Sequence, residues 1–187
     1  MASKKKAFDC HRGTQDWGGK MSTNVNQLPV VSLNAPRFEE RDRFIIAGLS
    51  GRYTASTLDE IPALWEQFSA HIGKIPGQVG GVAYGVCSDM VDGSGSFQYL
   101  SGVQVSESSA LPKQFTCLQI PAQRYVIFPH REHVSRLSYT VHAIWSQWFA
   151  GSGYKVATND VAMLERYGED FDPQMGMGDI EVWIPLV

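Results

Sequence analysis

Residues 61–68 read IPALWEQF and residues 141–148 read VHAIWSQW. At an offset of 80, Ala63/Ala143, Trp65/Trp145 and Gln67/Gln147 are identical, and three further positions are apolar in both. Each segment carries a helical stripe. Ile61, Leu64, Trp65, Phe68 and Ile72 recur at helix spacing, as do Leu137, Val141, Ile144, Trp145 and Trp148. Thr57 and Glu60 suggest a capping box for the first helix, which should stop at Gly73. The second should run from Ser135 to Gly151.

The flanks of the two helices repeat as well. A β-rich run precedes each one, RFIIAGLSGRY (43–53) and QRYVIFPHR (123–131). Two short strands follow each, at 78–86 and 97–105 in the first half and at 160–167 and 179–187 in the second. Each half is therefore β-α-β-β, and the halves meet in the Ser/Pro-rich stretch SESSALPK (106–113). The expected fold class is α+β: a duplicated unit, about 36–105 and 114–187, with both halves in one domain over 34–187. Residues 1–33 are polar and aperiodic and read as a flexible tail. Met21 is left open as the natural start.

Composition fits one globular domain: 187 residues, 43% hydrophobic and 19% charged. The net charge is −3, yet residues 1–20 hold five basic and two acidic residues, so the remainder carries −6. An acidic body suits cations better than nucleic acid. Cys10, Cys87 and Cys117 form neither a CxxC pair nor a zinc spacing, which suggests a reduced, cytoplasmic protein. No apolar run is long enough to span a bilayer, and no apolar core follows the basic start as in a secretory signal. No membrane association is expected.

Read as a strand, VAMLERY (161–167) places Val161, Met163, Glu165 and Tyr167 on one face and Ala162, Leu164 and Arg166 on the other. A lone carboxylate among apolar and aromatic neighbours is either solvated or functional.

The duplication, IPAQRYVIFPHR (120–131), IWSQWFAGSGY (144–154) leading into LERYG (164–168), and the terminal IEVWIPL (180–186) together resemble the AraC-type effector-binding domain, also called the gyrase-inhibitor-like small-molecule-binding domain. The resemblance spans roughly 36–187. It implies halves related by a pseudo-twofold axis, with a concave antiparallel sheet facing the ligand and two helices on its back. Members are ligand-sensing parts of multidrug-responsive transcription regulators, or stand alone, some as integron cassette proteins. In drug-sensing members a Glu on the penultimate strand pairs with cationic ligands in an aromatic pocket. Glu165 matches that position, so the resemblance implies that its face lines the pocket while Leu164 points to the helices.

Aligning the halves at an offset of 81 sets Tyr84 opposite Glu165. In the last strand Ile180, Val182, Ile184 and Leu186 read as core, leaving Trp183 for the pocket. The expected ligand-binding set is Glu165, Tyr84, Tyr99, Met163, Tyr167 and Trp183, with Tyr53 at the rim. Trp65, Trp145 and Trp148 read as core packing.

Little else suggests chemistry. His130 and His133 in HREH lack a third metal ligand, and the glycine turns lack the phosphate-loop ending. No metal, cofactor or catalytic group is expected. The expected partners are amphipathic organic cations, bound by a sensing or sequestering module that lacks its own helix-turn-helix. A protein partner or homo-oligomer is left open. Two alternatives stay open: a hydrolase using the pocket Glu as general base, with Glu181 as the one candidate second carboxylate, and a gyrase-inhibitor-like protein-interaction role.

Overall fold

The structure, a computed structural model, describes residues 31–91, 95–107, 111–157 and 159–187. Most of the expected tail, and Met21 and Cys10 with it, lies outside the described residues. Packing begins before residue 34, however. Val31 is buried and Leu33 packs on the core, so the last part of the expected tail belongs to the domain.

Eight strands form one antiparallel sheet: β1 (Arg37–Arg41), β2 (Phe44–Tyr53), β3 (Gln78–Val91), β4 (Ser96–Val105), β5 (Thr116–Ile120), β6 (Gln123–His130), β7 (Val161–Tyr167) and β8 (Ile180–Leu186). Helix α1 (Ile61–Ser69) joins β2 to β3. The second helical segment joins β6 to β7: α2 (Leu137–Ala143), a π-helical turn (Ile144–Trp148) and α3 (Phe149–Ser152). The repeat thus lies on two helices, as its periodicity predicts. The predicted capping box does not form: α1 is led in by a 3-10 turn, and Thr57 Oγ1 accepts from Thr54 N–H instead. The second segment ends at Gly153 in the left-handed conformation rather than at Gly151.

The strand order is β1-β6-β8-β7-β3-β4-β2-β5. Exchanging the halves, β1 with β5, β2 with β6, β3 with β7 and β4 with β8, returns the same order reversed. That is the signature of a twofold relation whose axis passes between β3 and β7. The short edge strands β1 and β5 each pair with the opposite half, on β6 and β2, and so tie the halves together. The sheet must also curl. β5 and β6 stand six positions apart, about 29 Å across a flat sheet, yet only Pro121 and Ala122 join them, a link of at most about 10 Å.

The two faces differ. One is covered by the helices: Ala47, Val103, Val126, Phe128, Val182 and Ile184 pack with Phe68 and Ile144, and Trp65, Trp145 and Trp148 lie against them. The other carries a helix-free cluster that includes Ile46, Tyr84, Val86, Leu100, Ile127, Leu164 and Trp183. Among the described residues no helix is long and apolar enough to cross a membrane.

HREH serves the helix start. His133 caps the turn through Ser135 N–H. His130 is buried, and its Nε2 donates to the His133 carbonyl at 3.1 Å while Nδ1 faces Thr140 Oγ1 at 2.9 Å. Burial favours the neutral ring, and since the carbonyl can only accept, that ring carries its proton on Nε2 and Nδ1 accepts from the threonine hydroxyl. Burial lowers its pKa. The unfolded chain then takes up this proton first as pH drops below about 6.5. The contribution of His130 to stability is full above that value and is lost as pH falls toward the lowered folded value. The fall in melting temperature between pH 7 and 5.5 is expected to be smaller in His130→Gln than in the wild type. Parallel curves would remove His130 from the acid sensitivity.

Candidate ligand site at Glu165

One row of cross-strand neighbours organises the site. It runs Leu49 (β2), Ser101 (β4), Gly85 (β3), Glu165 (β7), Val182 (β8) and Phe128 (β6). Glu165 stands 80 residues after Gly85, the offset of the two helices, so the pseudo-twofold axis passes through this pair. Each half thus offers one residue at the axis, Gly85 from the first and Glu165 from the second.

Gly85 leaves the room that the carboxylate occupies. A Cβ added there would lie 2.1 Å from Tyr99 Oη and 2.7 Å from Glu165 Oε2. The Tyr99 hydroxyl donates to Glu165 Oε2 at 2.5 Å, and the Tyr167 hydroxyl donates to the same oxygen at 3.0 Å. Trp65 of α1 donates its indole N–H to Tyr99 Oη at 3.0 Å, and its ring packs edge-on against Tyr167 at 5.0 Å. Tyr53 meets Tyr99 edge-on at 6.3 Å, and Phe171 lies 5.0 Å from Tyr167. The carboxylate therefore sits in an aromatic nest beneath α1.

No salt bridge among the described residues reaches Glu165, and its Oε1 accepts no hydrogen bond from them. Burial raises its pKa, and the two tyrosine hydroxyls act in the opposite direction. Burial, and then the Glu165 charge, push the Tyr99 phenol well above its usual value. The Tyr167 phenol and the Cys87 thiol respond in the same way. These groups stay protonated at neutral pH, so both tyrosines act as donors.

Glu181 is the internal contrast. It is more deeply buried than Glu165, but Arg37 Nη1 lies 2.6 Å from its Oε1, Arg166 Nη1 lies 3.5 Å from its Oε2, and Trp183 Nε1 donates to Oε2 at 2.9 Å. That carboxylate is neutralised. Its row neighbours Arg166 and Pro129 place it on the helix-free face, so it cannot act with Glu165 as a second carboxylate.

Of the residues singled out in the sequence, Tyr99, Tyr167, Met163 and Tyr53 share the helix-covered face with Glu165. Met163 is half-buried and pairs with Cys87 in the row that also holds Tyr99. Tyr84 and Trp183 do not join them. Both belong to the helix-free cluster, and so does Leu164, which points away from the helices. Glu165 correspondingly faces α1 rather than a helix-free concavity. The reason is register. Gly85 stands directly opposite Glu165, so the offset that relates β3 to β7 about this pair is 80, and a shift of one residue turns every side chain to the other face. The offset of 81 therefore matched Glu165 to Tyr84 when its counterpart is Gly85. Val161 also leaves the pattern, joining Leu164 in the helix-free cluster across a register shift between Cys87 and Ser88.

Trp65 is the site residue that sequence reasoning missed. Its place on the apolar stripe is that of a core residue, and in packing terms it is one. Only its indole N–H on Tyr99 marks it out, and helical spacing carries no trace of that bond.

Comparison with known proteins agrees with this architecture. The transcriptional regulator BrlR of Pseudomonas aeruginosa is 28% identical over 153 residues, 80% of this chain and 54% of that protein. The chain thus spans about half the length of that curated relative. An integron cassette protein from the mobile metagenome of Vibrio cholerae has a TM-score of 0.58 at 18% identity, over 83% of this chain and 97% of that one. SAV2435, solved bound to tetraphenylphosphonium, has a TM-score of 0.62 at 17% identity, over 82% and 94%. At these identities the structural likeness is one of fold. Residues 34–187 match the family described as the GyrI-like small molecule binding domain, and the chain belongs to that family.

Proposed function

We propose that the chain captures lipophilic organic cations at Glu165, as a ligand-sensing or sequestering module. The observation that carries this reading is a half-buried carboxylate without a cationic partner among the described residues, beside Tyr53, Trp65, Tyr99 and Tyr167, in a protein that neutralises its buried carboxylate, Glu181, with two arginines. Taking a carboxylate from water costs several kcal/mol unless a counter-charge accompanies it. A cationic ligand supplies that charge, and each ring face adds roughly 0.5–2 kcal/mol of cation–π attraction. Directional contacts are few, which favours a range of greasy cations over a single ligand. SAV2435, similar in fold, was solved with such a cation.

The reading implies motion. Trp65 lies against both tyrosines that hold the carboxylate, so a bulky cation reaches Glu165 only if Trp65 and its stretch of α1 shift. Nine residues long, with Phe68 alone fully buried, α1 is lightly anchored for this. Titration of tetraphenylphosphonium is expected to change the tryptophan fluorescence, and most of that change should vanish in Trp65→Phe. An unchanged amplitude in Trp65→Phe would place the ligand elsewhere. Coupling of the captured ligand to transcription is a further step of this proposal, suggested by the longer regulator BrlR. Its test is whether a cation alters a reporter's expression in cells carrying the protein.

A further inference from the structure

Ser101 lies in the same row as Glu165, on the same face, separated from it by Gly85 alone. It is fully buried, and its hydroxyl has no hydrogen-bond partner, the one such buried side-chain atom among the described residues. A hydroxyl buried without a partner costs about 1–3 kcal/mol. The fold itself does not ask for one here. The axis that exchanges Gly85 with Glu165 also exchanges their outer neighbours, so the counterpart of Ser101 is Val182, an ordinary core residue. The second half fills this place with a larger, apolar side chain, while the first keeps a polar one unpaired.

Gly85 has no side chain of its own, and the room over it is taken by the Tyr99 hydroxyl on its way to Glu165. The distance between the two is two strand spacings, about 10 Å. Helix α1 packs on β2 and β4, above this end of the row. A ligand that displaces Trp65, and with it the Tyr99 hydroxyl that Trp65 helps to hold, and brings its positive centre to Glu165 would lie along the row, with one aryl arm over Gly85 and its tip at Ser101.

We infer that Ser101 is a specificity-determining residue of the Glu165 site. It selects, among lipophilic cations, those that carry a hydrogen-bonding group one aryl ring away from the positive centre. This rests on the cation-binding reading above. Glu165 then supplies affinity for charge in general, and Ser101 ranks the cations that qualify.

Two isosteric probes separate the effects: tetraarylphosphonium ions with one para substituent, hydroxymethyl in one and ethyl in the other. Wild-type protein is expected to prefer the hydroxymethyl probe by about 5- to 10-fold, the worth of one net hydrogen bond to a buried group. Ser101→Ala should erase that preference through loss of hydroxymethyl affinity, with ethyl affinity held within about twofold. Without ligand, Ser101→Ala should melt no lower than wild type, because it removes an unpaired polar atom and adds no volume. Equal affinities of the wild type for the two probes, or equal weakening of both in Ser101→Ala, overturn the role of Ser101. A marked loss of melting temperature in Ser101→Ala would show that the hydroxyl has a structural partner and overturn it as well. Glu165→Gln is the arm that tests the underlying reading. If neither probe weakens there, cation binding at Glu165 fails, whatever Ser101 does.

Discussion

Glu165→Gln is expected to weaken tetraphenylphosphonium binding by roughly 10- to 100-fold, about 1.5–3 kcal/mol for a charge-assisted contact, while leaving the empty protein as stable or more stable. A neutral analogue, tetraphenylmethane in a solubilised form, should bind both proteins alike. The amide keeps the shape of the carboxylate and can still accept from the Tyr99 and Tyr167 hydroxyls, so what is removed is the charge. The stability effect follows from linkage. Burial raises the Glu165 pKa, so the folded protein holds this proton more tightly than the unfolded chain. That contribution is full below about 4.5, the unfolded value, and is lost as pH rises through the raised folded value. At neutral pH the ionised group is therefore a burden on the empty fold, and the gain in Glu165→Gln should shrink in mildly acid solution. A solvated glutamate gives neither the charge selectivity nor the opposite signs. Equal weakening of cation and neutral analogue would leave a greasy site without an electrostatic role for Glu165.

The parts of the fold that were legible in the sequence are those written in periodicity. The stripe through Trp65 and its copy through Trp145 located both helices, and the offset between them announced the twofold relation. The strands β1 and β5 were not legible. RFEER is four-fifths charged and mostly exposed, and TCLQI is too short to show alternation. Each is a strand because the other half presents an open edge to it, which is tertiary information. The site was legible in its centre and wrong at its margin. Glu165, Tyr99 and Tyr167 come together, but Tyr84 and Trp183 sit on the opposite face: a one-residue error in aligning β3 with β7 selects Tyr84, and Trp183 is selected because it lies opposite the core face of β8, which is the face that Glu165 shares. The correct offset was already available from the helices. It sets a glycine against the glutamate, an empty place opposite a half-buried charge, which signals a site as clearly as an aromatic ring does.

Gly85→Ala tests that empty place and is expected to be among the most damaging small substitutions in the protein. The added Cβ would meet Tyr99 Oη at 2.1 Å, Tyr99 Cζ at 2.7 Å and Glu165 Oε2 at 2.7 Å. All three lie well inside contact distance, and in the empty protein Tyr99 has little freedom to retreat. Its hydroxyl is held by Trp65 and Glu165, and its ring meets Tyr53. Overpacking of this kind costs typically 1–3 kcal/mol, or roughly 2–12 °C in melting temperature for a domain of this size. Because Tyr99 must leave Glu165 or drive it aside, tetraphenylphosphonium affinity should fall along with stability. Gly151→Ala is the control. It lies in α3, where an added Cβ meets nothing within 4 Å, and a helical alanine should stabilise by about 0.5–1 kcal/mol. The same chemical change thus carries opposite signs at the two positions. Tyr99→Phe in the Gly85→Ala background removes the nearest clashing atom and should recover part of the stability without recovering cation binding. A Gly85→Ala protein that melts with the wild type and binds the cation normally would mean that Tyr99 and Glu165 are not packed against this glycine, and that the site is not built around the axis.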